Sequence, residues 1–62
     1  MKDKFPIGTL IWAESLGLGI IKDVDKSLDN KYLVYYFDVD DIWNVSESTI
    51  KAMVKNYKDL VR

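Results

Sequence analysis

Apolar and polar positions alternate along most of this chain, and near Val45 the period of the alternation changes. Thr9–Glu14 reads TLIWAE, β-branched and aromatic, which predicts a strand. Its period of two sets Leu10 and Trp12 on one face and Ile11 and Ala13 on the other. Ser15-Leu16-Gly17-Leu18-Gly19 reads as a loop whose glycines permit a tight turn or the approach of another backbone. Gly19–Val24 (GIIKDV) predicts a second strand, and the polar Asp25–Asn30 a turn. Lys31–Phe37 predicts a third strand, apolar nearly throughout. Such a run is buried on both faces, or buried on one and adhesive on the other. Tyr32, Val34 and Tyr36 share one side of it; Leu33, Tyr35 and Phe37 share the other. Asp38–Asp41 is an acidic turn, and Ile42–Val45 a fourth strand. Residues 31–45 are the hairpin around which the rest must pack.

Beyond Val45 two readings stand. Ile50, Met53, Val54, Tyr57, Leu60 and Val61 fall at helical spacing, and Ser46 or Ser48 is a suitable cap, so one helix from about Glu47 fits. The other reading has a short turn at 46–49, a strand at 50–53 and a helix at about 54–61. At the other end Met1–Lys4 is a polar lead-in, and Phe5-Pro6-Ile7-Gly8 an entry turn. Four short strands separated by turn residues suggest a small antiparallel barrel, since closure hides sheet edges.

Two stretches resemble the SH3-like barrels of the Tudor and PWWP group. Phe5-x-Ile7-Gly8-x-Leu10-Ile11-Trp12-Ala13 is similar to the strand that opens PWWP domains. Tyr32–Met53 is similar to the strand, acidic turn, short strand and last turn that follow, with Val45-Ser46-Glu47-Ser48-Thr49-Ile50 leading into a closing strand. The Pro-Trp-Trp-Pro signature is absent, its loop being Gly17-Leu18-Gly19-Ile20. The resemblance implies a mainly β fold, a five-stranded antiparallel SH3-like barrel with a short C-terminal helix, and favours the strand at 50–53. It also implies a contact surface at the open barrel end. Of the family's methyl-lysine cage, Tyr36 takes the third-strand position, Leu18 the loop position, and the remaining aromatic has no counterpart. Gly-Leu-Gly-Ile-Ile also resembles the first turn of bacterial Tudor-like modules that contact protein or nucleic acid.

Composition narrows the chemistry. A chain of 62 residues supports one domain with a minimal core. It has no cysteine and no histidine, which excludes Ser–His and Cys–His catalysis and thiolate or imidazole metal sites. Asp38, Asp40 and Asp41 begin like a calcium loop, but Trp43 and Thr49 stand where that loop needs glycine and glutamate. The sequence therefore implies no enzyme, no cofactor and no metal. Trp12, beside the glycine-rich loop, is expected to be mostly buried. Net charge is −1 with both signs interspersed, unlike a surface built to neutralise phosphates. No apolar run approaches the ~20 residues of a membrane span. A cytoplasmic protein without membrane contact is the expectation.

The candidate site is Leu18, Tyr36, Asp38, Asp40, Asp41 and Trp43, placed where Leu16–Gly19 meets the 38–43 turn. Exposed Tyr and Trp are the usual anchors of interfaces, and the acids would steer a partner with a basic or apolar surface. The plain alternative is that Leu18 and Trp43 plug the barrel end. The function expected is a non-catalytic protein-interaction adaptor. Tyrosines among lysines also fit a nucleic-acid-associated module, and a self-associating structural subunit is the third reading.

Overall fold

The computed structural model describes residues 5–62. The lead-in Met1–Lys4 lies outside the described residues. Four strands, β1 (Leu10–Ala13), β2 (Gly17–Val24), β3 (Tyr32–Tyr36) and β4 (Asp41–Val45), precede one helix, α1 (Glu47–Leu60). The strands form an antiparallel meander in the order β1-β2-β3-β4, an open sheet with β1 and β4 at its edges. No helix among the described residues is long and apolar enough to cross a membrane.

Local chemistry accounts for the connections. The entry turn forms as its Pro and Gly predict: Thr9 N donates to Pro6 O at 3.1 Å, with Gly8 at φ 96. Leu16 N donates to Ala13 O, and Gly17, at φ 83, returns the chain into β2. The glycine stretch is thus the start of a strand rather than an open loop. Asp25 shapes the next turn, accepting from both the backbone N and the hydroxyl of Ser27. These bonds favour the ionised carboxyl and hold its pKa below the ordinary aspartate value. Asp40 takes a left-handed φ of 50 in the β3–β4 turn, a conformation that Asp tolerates better than most residues.

The strand expected at 50–53 is helix, and α1 begins at Glu47 rather than near Val54. The sheet accordingly has four strands and no closing fifth. The reason is local. Ser46 Oγ caps the helix by accepting from Thr49 N, and Glu47 places a carboxylate in the first turn. Helical spacing then puts Ile50 and Val54 in the core and Met53 against it. A strand over the same residues would send Ile50 and Met53 to opposite faces.

The core lies between one sheet face and α1, which packs chiefly on β1. Ile11, Ile21, Tyr32, Val34, Tyr36 and Ile50 are almost wholly removed from solvent. Gly19 makes this packing possible. A Cβ there would stand 2.9 Å from Ile11 Cδ1 and 3.0 Å from both Tyr36 Cδ1 and Val34 Cγ1.

Candidate functional site

The register of the sheet separates the side chains into two faces. Inward-facing rows run Ile21–Val34–Trp43 and Val24–Tyr32–Val45. On the outer face Leu10 pairs with Ile20, Ile20 with Tyr35, and Tyr35 with Ile42. One apolar row therefore crosses all four strands. Beside it Trp12 pairs with Leu18, and Phe37 extends that row by donating its backbone N to Leu18 O. The rings of Tyr35 and Phe37 meet edge to face at 5.2 Å. Most of these outer residues are half-buried, while Phe37 and Ile42 are exposed.

The six candidate residues do not form one site. Tyr36 is fully buried on the inner face. Its hydroxyl points at Met53 Sδ, 3.7 Å away, and burial raises its pKa above the ordinary tyrosine value. It therefore packs the core. Leu18 lies in β2 on the outer face, half-buried beside Trp12. Trp43 takes an inward-facing position on edge strand β4, yet remains 48% exposed, its ring edge-on to Tyr36 at 6.1 Å. The sheet itself stands between Leu18 and Trp43.

The acids occupy the tip between the two faces. Gly17 and Asp38 lie against each other: a Cβ on Gly17 would come within 2.7 Å of Asp38 Oδ2. Gly17 and Gly19 are thus filled by this chain's own side chains, which leaves no bare backbone for a partner. Asp40 accepts a short hydrogen bond from the Tyr35 hydroxyl. That bond, then desolvation and the Asp40 charge, raise the Tyr35 pKa. Asp41 accepts from the backbone N of Ile42 at 2.8 Å. No group of three or more acidic side chains among the described residues is placed to hold a metal ion.

Two hollows flank the sheet. A groove of about 340 Å³ runs between β4 and the first turns of α1, with Tyr36, Trp43, Val45, Thr49 and Met53 in its wall. No carboxylate or amine lines it. A shallower hollow between β1 and the end of α1 is lined by Trp12, Glu14, Asn56, Asp59 and Leu60. Trp12 is partly buried there and does not belong to the core.

Leu10, Ile20, Leu33, Tyr35, Phe37 and Ile42 were not among the sequence candidates. Their signal was present in strands apolar at both odd and even positions, more than one covered face requires. Comparison of the chain with protein-family models, curated proteins and solved structures finds no match.

Proposed function

We propose that this protein is a non-catalytic, cytoplasmic protein-binding adaptor whose contact surface is the outer face of the sheet. The supporting observation is the row Leu10–Ile20–Tyr35–Ile42, apolar across all four strands and, among the described residues, on the face opposite α1. A soluble domain of this size leaves few contiguous apolar surfaces open unless they serve contact. Asp40 is tied to that row through Tyr35, and Asp38 and Asp41 stand beside it at the tip. Asp23 pairs with Leu33 at the other margin. The partner is accordingly a protein with an apolar centre and Lys or Arg around it, which the acids steer into register. The same acids oppose phosphate, so nucleic acid is the weaker reading. We further propose that the meander follows the SH3-like plan of the Tudor and PWWP group, with α1 in place of the closing strand.

The test pairs stability with binding. Leu10→Ser with Ile42→Ser interrupts both ends of the outer row and leaves the core residues intact. The double variant is expected to melt within a few degrees of the parent and to lose at least about tenfold in affinity for the protein captured by the parent from its native host. Parent binding should weaken only modestly as salt rises, whereas phosphate contacts would give a steep dependence. Full binding by the folded double variant would contradict the proposal.

A further inference from the structure

We infer that β4 is a self-pairing edge: two copies of this chain join antiparallel along Asp41–Val45, with the two Trp43 residues opposed at the two-fold axis.

The first ground is the direction of the backbone groups. Residues of an antiparallel pair alternate between hydrogen-bonded and non-hydrogen-bonded positions. Phe37 N donates to Leu18 O, so odd-numbered residues at this end of β3 bond toward β2. Tyr36, Val34 and Tyr32 therefore bond toward β4, to their partners Asp41, Trp43 and Val45. Ile42 and Asn44 are left with their amides and carbonyls turned outward. The Asp41 carboxylate agrees with this: it reaches Ile42 N at 2.8 Å, a bond that an amide engaged with β3 would not make.

The second ground is the edge itself. Its sequence, DIWNV, holds no proline, lysine or arginine, and its pairing with β3 has no bulge. Those are among the devices by which edge strands refuse partners; a short length and the charge of Asp41 are the ones this edge keeps. Ile42 on one face and Trp43 on the other are each about half exposed.

The third ground selects a second copy and its direction. Antiparallel pairing centred on Trp43 sets Ile42 against Asn44 and Asp41 against Val45 of the other copy. Ile42 N and O then face Asn44 O and N reciprocally, while the tryptophans take the closer, non-hydrogen-bonded position that favours aromatic pairs. No like charges are opposed. The acidic turn 38–41 of each copy comes to the end where the other carries Lys31, already bonded to Glu47, and the N-terminus of α1. Parallel pairing would bring the two acidic turns together. Each copy gives the same β4 edge to the contact, so the pairing is isologous and closes at two copies. A five-residue edge is a small contact, and Asp41 competes for Ile42 N, so the dimer is weak and concentration-dependent.

Sedimentation equilibrium of the full chain from micromolar to millimolar concentration tests this, with amide hydrogen exchange at the same concentrations. The parent is expected to pass from monomer to dimer, with Ile42 and Asn44 amides gaining protection as it does. Trp43→Lys should raise the dissociation constant at least about tenfold. Asn44→Pro should do the same, because it deletes an outward amide and spares the bonds to β3. A parent monomeric at millimolar concentration would overturn the inference. So would a dimer unaffected by the folded variants. Should both variants unfold, exchange in the parent decides alone: protection gained elsewhere but not at Ile42 and Asn44 also overturns it.

Discussion

On its inner face the sheet stacks Ile21 with Val34 and Tyr32 with Val45, and on its outer face Leu10 with Ile20 and Tyr35 with Ile42. By residue type the two sets are close to interchangeable. They differ in what lies over them. Ile50 and Val54 of α1 complete the inner set, and its members fall to almost no exposure. Among the described residues no element forms a second layer over the outer set, and Ile42 keeps 50% of its surface. A sheet needs one covered face to fold. The second apolar face is the one proposed for contact.

Substitution of matched residues probes this division. Ile50→Ala or Ile11→Ala removes a wholly buried side chain and is expected to cost about 2–5 kcal/mol. Ile42→Ala, on a half-exposed side chain, should cost about 1 kcal/mol or less. Denaturant unfolding measures both. Equal losses would mean that the outer face is covered in solution.

Gly19→Ala sharpens the comparison, because Gly19 faces inward between Ile11, Tyr36 and Val34. An added methyl meets all three and should cost about 1–3 kcal/mol by overpacking. Gly8→Ala is the control: it has open space but a φ of 96, so any loss there is backbone strain alone. Thermal melts of the two variants separate packing from strain.

A smaller effect lies at the tip. Folding raises the Tyr35 pKa through its bond to Asp40, and that of Tyr36 through burial. The folded state then holds these protons more tightly than the unfolded chain. That contribution is fully present below the free tyrosine pKa of ~10 and is lost as pH rises through the raised values. Stability should therefore decline in the alkaline range, and Tyr35→Phe should shrink the decline without removing it. Identical alkaline profiles for variant and parent would break the link between Asp40 and the outer row.

Much of this arrangement was legible in the chain. Period-two alternation sorted Ile11 from Trp12 and Tyr36 from Tyr35 before any coordinates, and Pro6 with Gly8 marked the entry turn. The spacing of Ile50, Met53, Val54 and Tyr57 after Ser46 already described α1. The family resemblance argued for a strand there, and local capping and periodicity prevailed. Alternation cannot say which face is inside. That depends on where α1 docks, so Tyr36 looked as available as Tyr35. The glycines misled for a related reason. Gly17 and Gly19 are filled by Asp38, Ile11, Val34 and Tyr36, partners distant in sequence that no local pattern announces. As a result the candidate site joined residues from both sides of one sheet.

The most direct test is solvent paramagnetic relaxation enhancement of the methyl groups, recorded on dilute protein with a soluble, uncharged paramagnetic agent. The account predicts strong enhancement for Leu10, Leu18, Ile20, Leu33 and Ile42, and little for Ile11, Ile21, Val34 and Ile50. Protection of both sets alike would contradict it, because the outer face would then be a second core rather than a surface held open for a partner.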